Sequence, residues 1–206
     1  GNFSPVYQPA HTVLSDAGKE QAEFVAKRLV ILPIDVILSS TLPRAKQTAE
    51  IINQVLQKPI EFSDLLVEIR KPSELIGKII GNTEAEAIVA QFHLHKHEKD
   101  WKYSDEENFS ERKQRVAKII QLIKSQEQKH ILIVAHGGII KFIVAQMMFG
   151  DKMSPEEAYK YIFFTSIDNT GISTCHLWGE NKWNLMSWND LSHLDKYNPW
   201  IEENGV

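Results

Sequence analysis

The stretch "ILIVAHGGII", residues 131–140, sets one histidine between four branched apolar residues and a pair of glycines. The run Ile131 to Val134 is short and rich in β-branched residues, the pattern of a strand buried on both faces of a parallel sheet. Gly137 and Gly138 permit a tight turn, and Ile139, Ile140, Phe142, Ile143 and Val144 resume an apolar pattern at helical spacing. His136 therefore falls at a strand-to-helix junction. That is where open parallel sheets bind ligands. A structural histidine bonded to a backbone carbonyl is the competing reading of this stretch alone, so its partners must decide.

Working outward, "SERKQRVAKIIQLIKSQ" (110–126) places Val116, Ile119, Ile120 and Ile123 on one helical face leading into this strand. Earlier, "DVILSS" (35–40) reads as a second strand ending in two hydroxyl residues. The next segment, "TLPRAKQTAEIINQVLQ" (41–57), offers Thr41 as a cap, Pro43 in the first turn, and Ala45, Thr48, Ala49, Ile52, Val55 and Leu56 as a buried stripe. A first helix is expected over about residues 16–31, between Ser15 and Pro33. After "KPIEFSDLLVEI" (58–69) the pattern is irregular to about residue 105, with a helix near 84–98. "GISTCHLW" (171–178) and "KWNLMSW" (182–188) read as two late strands. Strands alternating with helices predict a three-layer α/β sandwich with a mainly parallel sheet.

Composition narrows the function classes. The 206 residues are 43% hydrophobic and 24% charged with a formal net charge of −4, which offers no footprint for nucleic acid or an anionic membrane. Cys175 is the single cysteine, which excludes an intramolecular disulfide and suits a reducing compartment. No signal peptide or apolar run of transmembrane length is seen, so a cytoplasmic location is the expectation. No linker divides the chain, so residues 1–206 are read as a single domain.

Parallel strands followed by helices bring their C-terminal ends to one side of the sheet. One such end is "SSTLPR", the other "AHGG". Arg44 in the first turn of its helix and the helix start at Gly137 each join an N-terminal dipole end to donors, and Arg44 adds a planar fork. With His136 they describe a pocket for a phosphate or another tetrahedral anion. Glu68, in "LLVEIRKPSEL" (65–75), sits just past an apolar stretch and could carry a proton to a leaving oxygen at the crevice rim.

As a set these residues resemble the histidine phosphatase superfamily, also called phosphoglycerate mutase-like. "LSDAGKEQA" (14–22) resembles its L-[ST]-x-x-G-x-x-Q-A helix start, and "ILSSTLPRAKQTAEII" (37–52) its S-S-x-x-x-R-[AT]-x-Q-T-A segment. Glu107, Asn108, Arg115 and Val116 resemble its E-S-x-x-[DE]-x-x-x-R-V helix, and "ILIVAHGGII" its V-[ST]-H-G-G strand end. "DNTGIS" (168–173) and "WNDLSHL" (188–194) are similar to its closing motifs. The resemblance implies a phosphoglycerate mutase-like fold and a phosphatase acting on a small phosphomonoester through a phosphohistidine. It implies His136 as the second, oxygen-holding histidine, Arg44 as one phosphate-binding arginine, Glu68 as the proton donor, and neither metal nor other cofactor. Gly137 and Asn2 complete the implied phosphate-binding set, and residues of about 69–107 form the implied cap. There Arg70, Lys71 and the histidines could contact a second anionic group. Glu68 is followed by "IRKPSELIG" rather than the mutase E-R-x-Y-G-x-L-x-G, which favours hydrolysis over mutase activity.

One departure is large. The family's nucleophile lies in an N-terminal strand ending in Arg-His-Gly, and no Arg-His-Gly occurs in these 206 residues. Asn2 falls where the asparagine following that motif would stand, so the missing strand is expected directly upstream, and the chain as given is expected to be inactive. His11 stands in a loop-like run without a strand before it and is not read as a replacement. A naturally inactive phosphate-binding or protein-interaction module is the alternative, and homodimerisation is one way to compensate for a missing strand. A third reading takes His93, His95 and His97 in "HLHKHEKD" (93–100) as a metal cluster; the polar, helical context favours a solvated segment. Trp178, Trp183 and Trp188 read as core and rim packing rather than a nucleobase platform.

Overall fold

A computed structural model describes residues 6–197. Its elements in order are α1 (Asp16–Leu29), β1 (Val36–Ser40), α2 (Pro43–Leu56), β2 (Ile60–Ser63), α3 (Thr83–Leu94), α4 (Phe109–Lys124), β3 (Ile131–Val134), α5 (Gly137–Phe149), α6 (Pro155–Phe164), β4 (Ile172–Trp178) and β5 (Lys182–Asp190). The first three strands form a parallel sheet in the order β2-β1-β3, and β4 and β5 form a separate antiparallel pair.

Side chains alternate across a strand, so β1 feeds two cores. Val36 and Leu38 pack with Leu66, Val116, Ile119, Ile139 and Phe142 from the α4 and α5 side. Ile37 packs instead with Val25, Ala26 and Leu29 of α1 and Ala45, Ala49 and Ile52 of α2. Helices thus cover both faces of a parallel sheet, the expected three-layer α/β arrangement. Among the described residues no helix is long and apolar enough to cross a membrane.

Three expectations need correction. The strand Ile131 to Val134 is not buried on both faces; only Val134 is buried, and the other three are half-buried. The reason is position, since β3 pairs with β1 on one edge and has no strand on its other edge among the described residues. The central, fully buried strand is β1. Second, Thr41 does not cap α2. Leu42 is the cap residue and contributes no side-chain bond, while the Thr41 hydroxyl donates to Asp64 Oδ1 at 2.6 Å. Third, the helix expected near 84–98 stops at Leu94, because His95 turns away to Glu98 and Trp101.

Candidate active site

The site grows from the C-terminal ends of β1 and β3. Register sets Ser39 opposite Val134, so Ser40 and His136 emerge side by side where the strands finish. His136 Nε2 lies 2.9 Å from Ser40 Oγ, and that oxygen also accepts from Leu42 N–H at 3.2 Å. Both residues are buried. The sequence reading noted the two serines without assigning Ser40 a role; hydroxyls closing a strand beside the histidine strand were the available signal.

Burial, followed by the nearby positive charges of Arg44 and Arg115, pulls the His136 pKa down to about 3. The imidazole is therefore neutral at ordinary pH. Its rim position as the residue preceding α5 leaves the α5 amides to other partners.

Glu68 takes them. Its Oε2 accepts from Gly138 N–H at 3.1 Å and its Oε1 from Ile139 N–H at 3.0 Å. A further bond, from Ile69 N–H to Oε1 at 2.7 Å, fixes the carboxyl plane. The anion-favouring start of α5 is thus filled by a carboxylate of the same chain, delivered from a loop 70 residues away. Gly138 is required by this approach: a Cβ there would lie 2.6 Å from Glu68 Oε1. Gly137 is also crowded, since a Cβ there would come within 3.0 Å of Ile167 Cγ2.

The loop bearing Glu68 is pinned from below. Arg115 donates Nη1 to Leu65 O and Val67 O, each at 2.8 Å, and holds Glu107 through Nε at 2.7 Å and Nη2 at 2.6 Å. Glu107 in turn accepts from Arg70 N–H at 3.0 Å and donates its own N–H to Arg70 O at 3.1 Å. Asn108 caps α4 in a reciprocal capping box with Glu111. The Glu107, Asn108 and Arg115 pattern of the sequence therefore builds a scaffold that aims Glu68.

Arg44 lies in the first turn of α2, half-buried, with Nη1 3.5 Å from Pro9 O, the outer limit of a hydrogen bond. Burial lowers its pKa and the Glu68 charge opposes that. Arg44, Glu68 and His136 thus meet around one crevice. Lys141, on α5, donates to Ile162 O at 3.1 Å; burial lowers its pKa, against the charges of Glu68 and Asp168. Asn2 lies outside the described residues.

The remaining sequence candidates go elsewhere. His93 bonds the Tyr159 hydroxyl, His95 pairs with Glu98 at 2.7 Å, and His97 lies 3.5 Å from Glu156. Each has a different partner, and no cluster of three or more His, Cys, Asp or Glu able to hold a metal occurs among the described residues. Arg70 Nε donates to Asp105 O at 2.6 Å. The closing motifs form a latch: Asn189 accepts from Asp168 N–H at 2.9 Å and donates to Asp168 Oδ2 at 2.8 Å. A Cβ at Gly171 would fall 2.0 Å from Asn189 Oδ1, so only glycine fits there. His11 is exposed on a turn.

At the ends of two parallel strands of this three-layer α/β fold, a buried histidine, a positioned carboxylate and a half-buried arginine share one crevice. Residues 6–191 match the profile of the histidine phosphatase superfamily (branch 1), and the chain belongs to that family. It is 28% identical over 185 residues to the uncharacterized phosphatase PhoE of Bacillus subtilis (strain 168), covering 89% of this chain and 85% of that one. It is 27% identical over 188 residues to phosphoglycerate mutase-like protein 4 of Arabidopsis thaliana, covering 89% and 76%. The structure of a mycobacterial glucosyl-3-phosphoglycerate phosphatase superposes with a TM-score of 0.74 at 21% identity, covering 91% of this chain and 93% of that one. That likeness establishes the phosphoglycerate mutase-like fold.

Proposed function

We propose that this crevice binds and hydrolyses a small phosphomonoester. The observation that carries the reading is the convergence of Glu68 and His136 at the start of α5, with the Arg44 charge reaching both. Arg44 supplies a fixed cation and His136 a neutral imidazole for the phosphoryl oxygens. Glu68 Oε2 carries a single amide bond and keeps room for the leaving oxygen.

In this reading a second imidazole nitrogen attacks phosphorus and the P–O ester bond breaks. The leaving oxygen takes a proton from Glu68. Water then attacks the phosphohistidine, gives its proton to Glu68, and releases inorganic phosphate and the free imidazole. An uncharged nucleophile suits a phosphate dianion, which repels anions, and the cations stabilise the transferring oxygens. The attacking imidazole belongs, in this proposal, to an apolar strand ending in Arg-His-Gly, a sequence these 206 residues lack. The edge of β3 that no strand pairs among the described residues supports the reading, as does the core that Cys175 of β4 and Trp183 of β5 share with Ile131 and Ile133. A strand along that edge would join the two sheets. Residues of about 69–107, which include α3, serve as the cap, and the protein works in the cytoplasm on a small metabolite.

The test is turnover of p-nitrophenyl phosphate. The 206-residue chain should bind inorganic phosphate without turnover, and the chain extended by its in-frame upstream sequence should hydrolyse the ester. Turnover by the 206-residue chain that disappears in His136→Ala would overturn the missing-nucleophile proposal. Phosphate binding with no turnover in the extended chain would leave the non-catalytic binding module as the correct reading.

A further inference from the structure

Two serines close β1, and both are fully buried. Ser39 stays within the turn, its Oγ donating to Ser40 O at 3.2 Å. Ser40 Oγ serves two elements at once. It accepts from Leu42 N–H at 3.2 Å, which holds the turn that delivers Arg44, and it lies 2.9 Å from His136 Nε2 just beyond β3. One oxygen thus joins the Arg44 turn to the imidazole.

The bonds around that oxygen decide which ring nitrogen of His136 carries the proton. A hydroxyl has one proton to give and two lone pairs to fill. Leu42 N–H fills one lone pair, and among the described residues Ser40 Oγ has no hydrogen-bond partner besides Leu42 N–H and His136 Nε2. Were Nε2–H the donor, both lone pairs would be filled and the hydroxyl proton would be buried without an acceptor, a costly arrangement. The reverse satisfies every group: Ser40 O–H donates to a bare Nε2. A neutral imidazole then keeps its proton on Nδ1.

That leaves Nδ1 for a ligand. His136 precedes α5 with extended backbone and makes no side-chain cap bond, while Glu68 holds the Gly138 and Ile139 amides. Nδ1 takes no hydrogen bond among the described residues and is not sealed from solvent. The oxygens of a phosphate dianion accept hydrogen bonds and do not donate them, so a bare nitrogen turned toward them would meet lone pair with lone pair. A protonated one meets them with a donor.

We propose that Ser40 is a positioning residue: its hydroxyl donates to His136 Nε2, holds the imidazole as the Nδ1–H tautomer and so makes His136 a hydrogen-bond donor to the phosphoryl oxygens. This rests on the phosphatase reading above, in which Arg44, Glu68 and His136 surround the reacting phosphate. Because the same hydroxyl oxygen anchors the Leu42 amide, it also fixes the imidazole relative to the start of the helix that carries Arg44.

The experiment reads the tautomer directly. The 206-residue chain, labelled with nitrogen-15 in its histidine rings, is recorded by long-range proton–nitrogen correlation at pH 7.5, with His136 assigned by its loss in His136→Gln. Inorganic phosphate is titrated calorimetrically into the same samples. The parent should show a protonated Nδ1 and a bare Nε2 at His136. Ser40→Ala should admit the Nε2–H form and weaken phosphate binding roughly tenfold. Ser40→Thr, which keeps a hydroxyl, should restore the Nδ1–H form and most of the affinity. Circular dichroism checks folding, and a serine of purely structural role would change stability without moving the tautomer. Should Ser40→Ala fail to fold, the parent and Ser40→Thr spectra decide. An Nε2–H imidazole in the parent, or a tautomer unchanged in folded Ser40→Ala, overturns the assignment, and the phosphatase reading stands as long as phosphate binds. No phosphate binding by a parent that shows the Nδ1–H form overturns the phosphatase reading, and the donor role with it.

Discussion

Below the crevice and on its wall, charge is handled in opposite ways. Below, Arg115, Glu107 and the Arg70 backbone form a closed set in which the guanidinium and the carboxylate are both bonded. On the wall, Arg44 has one marginal bond, Lys71 has an aromatic ring, and the Arg112 Nε has nothing. Satisfied charge builds the loop that aims Glu68. Charge left without such partners is kept at a cost to stability.

The largest effect should come from breaking the closed set. Arg115→Met leaves Glu107 without its ion partner and strips two loop carbonyls of their donor, with the pair only 12% exposed on either side. A loss of about 3–5 kcal/mol is expected, read from urea unfolding. If the variant unfolds at the parental midpoint, the Arg115 and Glu107 scaffold does not carry the loop.

Next is the pH dependence set by His136. Unfolded, this imidazole titrates near 6.5; folded, burial and the charges of Arg44 and Arg115 hold it down to about 3. Between those values the unfolded chain binds the additional proton. Its stabilisation is therefore fully present above pH 6.5 and is lost as pH falls toward 3, with a slope approaching ~1.4 kcal/mol per pH unit. Urea melts at pH 7.5 and 5.0 should show the parent losing roughly 2 kcal/mol more than His136→Gln. Equal losses would mean that His136 protonates freely in the folded state.

A smaller effect separates packing from capping at α5. Gly138→Ala pushes a methyl against Glu68 Oε1 and should cost about 1–2 kcal/mol by displacing the carboxylate from the amides. In a Glu68→Ala background the same change should stabilise by a few tenths to ~1 kcal/mol, because alanine is the better helix former. The double-mutant cycle is the measurement, and additivity would sink the contact.

How much of this was legible in the sequence follows the same division. Local chemistry was: Ser15 caps α1, Pro43 opens α2, and the glycine pair after His136 marks the turn into α5. Burial of whole strands was not, because "ILIV" and "VILSS" look equally apolar while only sheet order makes β1 central and β3 an edge. The strand β2 was missed because its four residues follow a proline and expose Phe62, so no alternation betrays it. Glu68 could be singled out from its place after an apolar run, but its bonds to α5 span about 70 residues and have no local signature. Arg112 was invisible for the same reason. In the sequence it is one charged residue in a charged helix start, and the burial of its Nε without a partner among the described residues exists only in three dimensions.

The smallest stability effect separates the bonded Arg115 set from the crevice wall most sharply. Arg112→Met removes a half-buried arginine whose buried Nε has no partner and puts a flexible apolar chain of similar length in its place. Were Arg112 part of the scaffold, the change would cost as much as Arg115→Met, three residues further along the same helix. The desolvated Nε carries a penalty that methionine does not, while the diffuse pull of Glu107, Glu106 and Glu68 works the other way. The balance should lie within ~1 kcal/mol of the parent, on the stabilising side. Paired urea melts of the two variants in one buffer decide it. A loss above about 2 kcal/mol in Arg112→Met would place that arginine with the builders.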